Sequence, residues 1–483
     1  MRTMSLPLGR QTAGGSDRGS GKPGPVFFLI NVSFHHMSDA TSGQTGLSPR
    51  FSMRRFSKLM FSVIVALIVW NLPLDAFGID GLNGVQRRVI AVFVLATLLW
   101  ITESIPAWAT SVVIMGVLLL AVSDSAAFFF RTGFDKSELI SYKALMACFA
   151  DPIIILFIGG FVLAAAASKS GLDAVMARVM LKPFGNRSEM VLLGFLMITG
   201  VFSMFISNTA TAAMMLTFLA PVFKALKDPR DRVALTLSIP VAANLGGMGT
   251  PIGTPPNMIA LKYLNDNLGM NISFAEWMMF MLPFTVLMLA IGWYLLVKLF
   301  PFTQRTIELK IEGEASRGWR TKAVAIIFVI TVAMWLLDKY TGINANTVAI
   351  FPIAAFALTG VIRAKDLQNL EWSVLWMVAG GFALGLALNA SGLAKAAINS
   401  IPFGSWSPLV ILVVSGLICY FLSNFISNTA TAALLVPILA VVCTGMGDTI
   451  SVIGGTTTVL IGIAISASVA MTLPISTPPN AIA

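Results

Sequence analysis

The chain has 483 residues, of which 57% are hydrophobic and only 11% charged, with a mean hydropathy of +0.85; no soluble core needs that much apolar sequence, so the composition is that of a polytopic membrane protein. The net charge of +10 does not point to nucleic acid, because the basic residues cluster in short loops between apolar runs, as the positive-inside rule expects. Cys148, Cys419 and Cys443 stand in apolar context, which argues against a disulfide framework, and the histidines, His35 and His36, fall in the N-terminal tail, so the apolar core has no imidazole for a metal cluster, a proton relay or a Ser-His pair.

Residues 1 to about 52 are rich in Gly, Ser, Thr and Arg, with one apolar patch, Val26 to Ile30, too short to span a bilayer. They are expected to form a disordered tail. His35-His36 reads as a chance pair rather than a metal site, and Met53 stands as an alternative start. Apolar runs then predict spans at about 59–75, 87–104, 106–123 and 152–169, a hairpin unit at 188–223, a broken helix at 233–264 and a span at 277–299. The second half repeats this with about 322–338, 346–363 and 373–389, a unit at 405–441, and a broken helix from about 450. The expected division is therefore a tail of 1–52, a first half of 53–300 and a second repeat of 320–483, which by symmetry lacks a final helix beyond Ala483.

Arg50, Arg54, Arg55 and Lys58 precede the first span and predict a cytoplasmic N-terminus. If 188–223 enters and returns on one side, three basic loops fall inside: Lys182 with Arg187; Lys224, Lys227, Arg230 and Arg232; and Arg305, Lys310, Arg317, Arg320 and Lys322. The flanks of 405–441 are almost uncharged and fall outside. An odd number of crossings then separates equivalent positions, so the repeat is expected to be inverted in the membrane.

The duplication rests on nine letters, FISNTATAA, at Phe205 to Ala213 and again at Phe425 to Ala433. Gly160-Phe161 with Gly381-Phe382, Ser170-Gly171-Leu172 with Ser391-Gly392-Leu393, and Thr254-Pro255-Pro256-Asn257 with Thr477-Pro478-Pro479-Asn480 follow at nearly the same offset. Both Ser-Asn-Thr clusters lie in long uncharged apolar surroundings, where polar groups are costly and usually functional. Close packing of small residues explains neither the Asn nor the doubled Pro-Pro. Two halves, each with such a cluster followed by a helix-breaking Thr-Pro-Pro-Asn, are the pattern of a secondary transporter with interrupted helices at the midplane.

A re-entrant hairpin leaves unpaired carbonyls at the end of its first arm and unpaired amides at the start of its second, near Ser207 and near Ser427. Pro255-Pro256 and Pro478-Pro479 break the following helices in the same way. Amides at helix N-termini, with Asn208, Thr209, Asn428 and Thr429, suit carboxylate or sulfate oxygens. Carbonyl-rich ends with Ser203, Ser207, Ser423 and Ser427 suit sodium. The alternative is that Ser and Asn only cap the turns. Glu103, in WITESIP, is either a proton carrier or, as its place between two spans favours, a cap. An intramembrane hydrolase is the weakest reading, since the Ser-Asn-Thr segments hold no His, Lys, Asp or Glu to activate a nucleophile.

Over roughly residues 55 to 483 the chain resembles the divalent-anion:sodium symporter family, whose signature is the paired Ser-Asn-Thr, here Ser207-Asn208-Thr209 and Ser427-Asn428-Thr429. Gly253-Thr254-Pro255 and Ser476-Thr477-Pro478 match its broken helices, and WITESIP its early segment. The resemblance implies an all-α polytopic inverted repeat that works as a homodimer, with a fixed scaffold and an elevator-like moving domain. It places one sodium on Ser203, Ser207, Asn208 and the Gly253 region and another on Ser423, Ser427, Asn428 and the Ser476 region. Substrate is expected at both Ser-Asn-Thr clusters, at Thr254 and Pro255, and at Thr477 and Pro478. The implied function is sodium-coupled symport of a small divalent anion, most simply a C4-dicarboxylate such as succinate or malate, in a cell membrane (the inner membrane in a bacterium). Sulfate or citrate symport and sodium-independent exchange are the alternatives. Membrane lipid, not nucleic acid, is the expected macromolecular environment.

Overall fold

The computed structural model describes residues 53–307, 318–474 and 476–483. The predicted tail, with His35 and His36, and the loop residues Lys310 and Arg317 lie outside the described residues. Among those described, the regular structure is helical, with two isolated bridges, Ser123 to Ile140 and Arg187 to Thr306. Six of the helices are long and apolar enough to cross a membrane, as a multi-pass membrane protein requires.

The first half comprises α1 (Met53–Asn71), α2 (Gly84–Thr102), α3 (Ala107–Ala121), α4 (Pro152–Ser170), α5 (Leu172–Leu181), α6 (Ser188–Ser203), α7 (Asn208–Ala225), α8 (Asp231–Gly246), α9 (Pro255–Lys262) and α10 (Phe274–Leu299). The second comprises α11 (Trp319–Leu336), α12 (Ala345–Leu358), α13 (Trp372–Ala390), α14 (Leu393–Ser400), α15 (Pro408–Ser423), α16 (Asn428–Met446), α17 (Gly455–Ser468) and α18 (Pro478–Ile482). Helix α1 begins ahead of its predicted span because Met53, Arg54, Arg55 and Lys58 are unbranched helix formers that extend the apolar run by more than a turn.

Local chemistry sets the ends. Asn83 and Gln86 form a reciprocal capping box at the start of α2, with bonds of 2.8 and 2.9 Å, and Ser273 and Glu276 form another at α10, at 3.2 and 2.9 Å. Asp151 accepts from Ile153 N at 2.9 Å and Pro152 fills the first helical position of α4. Gly171 at φ 68° and its counterpart Gly392 at φ 74° turn the chain from α4 into α5 and from α13 into α14, a left-handed conformation that favours glycine.

The two halves pack reciprocally. Helix α4 lies against α12, where a Cβ at Gly159 would come 2.7 Å from Ala349 Cβ; α13 lies against α3, where a Cβ at Gly380 would clash with Ser111. Trp100 Nε1 donates to Ala107 O at 3.2 Å across the α2–α3 connection, and Trp335 Nε1 donates to Ala345 O at 3.0 Å across the α11–α12 connection. Each half thus lends one helix to the other by the same small-residue contact.

Both hairpins have a 16-residue first arm, about 24 Å long at 1.5 Å per residue, short of the roughly 30 Å hydrocarbon layer. Four residues, Met204 to Ser207 and Asn424 to Ser427, join each first arm to its second. Ile206 N donates to Phe202 O at 2.8 Å and Ile426 N to Leu422 O at 2.9 Å, so the two turns are built alike.

Candidate functional site

At the first tip, Ser207 is the N-cap of α7, accepting from Ala210 N at 3.4 Å. Asn208 turns back toward the end of α6. One atom of its carboxamide lies 2.7 Å from Ser203 Oγ, 3.2 Å from Ala243 O and 3.3 Å from Gly253 O. Ser203 is fully buried and donates to Ala243 O at 2.6 Å. With the carboxamide nitrogen at that position, it donates to all three neighbours, which satisfies the set without an ion; a cation beside Ser203 Oγ, Ala243 O and Gly253 O would instead be met by the carboxamide oxygen after the amide turns over. Gly247 and Gly253 are pressed together beside Asn208, with no room at Gly253 for a Cβ. Ser203, Asn208 and Gly253 are therefore brought together as expected.

The break after α8 is held open by Asn257. Its Nδ2 donates to Gly247 O at 3.0 Å, Met248 O at 3.4 Å and Thr250 O at 2.8 Å. Thr250 in turn donates to Met204 O in the hairpin turn and accepts from Gly253 N at 3.1 Å. Thr254 caps α9 by position without a side-chain bond, and Pro255 is the first helical residue. The Oδ1 atoms of Asn244 and Asn257 are buried without a hydrogen-bond partner, so this region holds more acceptors than donors.

The second tip repeats the arrangement. Ser427 caps α16 through Ala430 N at 3.2 Å, and Ser423, fully buried, donates to Asn428 Oδ1 at 3.0 Å. Asn480 Nδ2 donates to Met471 O at 2.8 Å and Leu473 O at 3.0 Å, the counterparts of Met248 and Thr250. Ser476 Oγ closes its own turn, donating to Leu473 O at 2.6 Å, so its hydroxyl proton is committed locally. Thr477 accepts from Asn480 N and, at 3.1 Å, from Asn244 Nδ2 of the first half. Pro478 opens α18. Thr209 and Thr429 follow the cap serines in the first turns of α7 and α16, half-buried and buried respectively.

The halves exchange their broken helices. Helix α18 packs on α7 and α8, and α9 packs on α16 and α17, so the segment after each break lies against the other half, while Thr250 and Gly253 of the first break stay at the first half's own hairpin tip. Sequence reasoning missed Asn244, Thr250 and the holding role of Asn257 and Asn480. A signal existed for Asn244, which is a lone amide in an apolar run. It also missed Glu371, whose Oε1 accepts from Ser207 Oγ at 2.5 Å. Glu371 lies just before α13 and lines, with Ser207, Ala210 and Asp173, a cavity of about 160 Å³. Burial pushes the Asp173 carboxyl above the ordinary carboxylate range, against the pull of its bond from Ala174 N. Glu103 sits at φ 47° as the C-cap of α2, in keeping with the capping role.

Residues 97–455 match the CitMHS family model, described as citrate transporter. The chain belongs to this family. It is 31% identical over 467 residues to a protein of Staphylococcus aureus (strain USA300) named sodium-dependent dicarboxylate transporter, with 88% of this chain and 84% of the relative covered. A Staphylococcus saprophyticus protein of the same name is 29% identical over 462 residues, at the same coverage of both chains. The resemblance to divalent-anion:sodium symporters, carried in the sequence by the doubled Ser-Asn-Thr, is thereby shown. The chain is a membrane transporter rather than an enzyme.

Proposed function

We propose that this family member is a sodium-coupled symporter of C4-dicarboxylates such as succinate or malate. The observation that carries the reading is the convergence of Ser203 Oγ, the Asn208 carboxamide, Ala243 O and Gly253 O at a hairpin tip that also opens the N-terminus of α7. A helix N-terminus, worth about half a positive charge, attracts a carboxylate, whereas a nest of neutral oxygens takes a hard cation. The second tip offers the N-terminus of α16, capped by Ser427, and the Ser423 hydroxyl beside the Asn428 carboxamide oxygen at 3.0 Å. Two N-termini give about +1 against the two negative charges of a dicarboxylate, and sodium supplies the remainder. Sodium is thus a co-substrate, consistent with the name carried by both staphylococcal relatives.

The same reading includes Ser207, Thr209, Thr254, Pro255, Thr429, Thr477 and Pro478 around the anion, and Ser476 beside the second cation. It also takes the repeat as inverted, the hairpins as re-entrant, the N-terminus as cytoplasmic, and transport as an elevator motion within a homodimer. Citrate is the second substrate reading, favoured by the description of the matching family.

Uptake of labelled succinate, citrate and sulfate into proteoliposomes, with and without an inward sodium gradient, tests the proposal. Succinate uptake driven by sodium is the expected result; full uptake with choline in place of sodium would establish exchange instead. Asn208→Ala and Asn428→Ala are each expected to weaken activation by sodium and by succinate together, by about tenfold or more, because one carboxamide borders both ligands. Unchanged sodium activation in both variants would remove the coupling model.

A further inference from the structure

The hydroxyl of Ser207 has one proton, and here that proton is spent on Glu371 Oε1 at 2.5 Å. Glu371 stands at the N-cap position of α13, where an acidic side chain ordinarily serves its own helix, yet it makes no cap bond there. Its carboxylate reaches instead across to the other half of the molecule, to the residue that opens α7. Ser207 cannot donate to Glu371 and to a substrate oxygen at once. A substrate carboxylate brought to the start of α7 also meets the Glu371 charge at contact distance. The second cap serine has a similar neighbour, since Glu103 and Ser427 line one cavity of about 310 Å³.

We propose that Glu371 is an internal carboxylate competitor: it holds the first hairpin's cap serine when no anion is bound and must leave Ser207 for a substrate carboxylate to take its place. Glu371 is thereby a residue that sets apparent substrate affinity. The assignment rests on the dicarboxylate reading above and deepens it.

The test is sodium-driven uptake of labelled succinate by the full chain in proteoliposomes, with succinate binding to the purified protein followed by calorimetry. Glu371→Gln is expected to lower KM and the dissociation constant by about fivefold, the effect of removing a partly screened like-charge contact, with a smaller change in maximal rate. A merely structural role would lower the maximal rate or raise KM. Glu371→Ala, which removes contact and charge together, carries the same expectation and serves if the glutamine variant does not fold. An unchanged or raised KM in either folded variant overturns the proposal, and so does failure of both to fold, since the residue is then structural. Uptake by the wild-type chain with unaltered KM in the variants removes only the Glu371 assignment; no succinate uptake by the wild type removes the dicarboxylate reading and this one with it.

Discussion

Asn257 and Asn480 do the same task at corresponding places: each amide nitrogen ties down the carbonyls seven and nine residues before it, at 2.8 and 3.4 Å for Asn257 and 3.0 and 2.8 Å for Asn480. Carbonyls freed by a helix break inside an apolar core need such donors, because water is not at hand to replace them. Replacing Asn257 by Ala removes the donor shared by three carbonyls, of which Met248 O keeps Trp277 Nε1 at 3.2 Å and Thr250 O keeps Gly253 N at 3.4 Å, and the expected loss is roughly 1–3 kcal/mol. Asn257→Asp is expected to be at least as harmful, since a carboxylate offers no donor. Thermal unfolding of the purified protein in detergent measures both, and an Asn257→Asp variant as stable as wild type would show that the break is held by something else. The sequence displayed these asparagines as part of a repeated Thr-Pro-Pro-Asn. It could not show their targets, because a side chain bonding backwards across a break leaves no periodic trace.

At the scale of elements, apolar length placed most of the long helices within a few residues but missed the short α5 and α14, whose mixed polarity gives no span-length run, and the nine repeated letters marked the two turns at Ser207 and Ser427. Hydrophobic runs of membrane length are hard to read as anything else. What composition could not convey is which elements meet: α4 with α12, α13 with α3, and α9 and α18 with the opposite hairpins. Those pairings are made by residues far apart in sequence, such as Gly159 with Ala349 and Gly380 with Ser111, and a small residue looks the same at a contact as in open lipid. Glu371 was hidden likewise, since an acid at the edge of a span reads as an interfacial charge until its partner is known. Gly159→Ala and Gly380→Ala are each expected to force their helix pair apart and to destabilise the protein by roughly 1–3 kcal/mol through overpacking. Adding a methyl at the uncrowded helical Gly116, where no neighbour lies within 4 Å, is the control. Melting temperatures of the three variants decide it, and equal values for all three would deny the close contact.

Across the whole molecule, the contacts of Gly159 with Ala349 and of Gly380 with Ser111 form a reciprocal pair: the position on α4 meets α12, and its counterpart on α13 meets α3. Reciprocity of this kind belongs to a two-fold relation, here between two halves of one chain. A two-fold axis lying in the membrane plane would turn one half upside down, whereas an axis along the normal would leave both halves facing the same way. The charge pattern motivates the first of these as a prediction. Lys224, Lys227, Arg230 and Arg232 follow the first hairpin, while no Lys or Arg lies between Pro402 and Gly447 around the second, so the positive-inside rule predicts that the two hairpins lie on opposite sides. The native thiols Cys148, Cys419 and Cys443 are buried, which leaves a membrane-impermeant thiol reagent free to report on introduced sites alone. Lys227 is exposed, and Trp406 is 40% exposed. In sealed vesicles of known orientation, Lys227→Cys is expected to react only from the cytoplasmic side and Trp406→Cys only from the opposite side. Reaction of both from one side would place the axis along the membrane normal and leave the reciprocal contacts without an inverted topology.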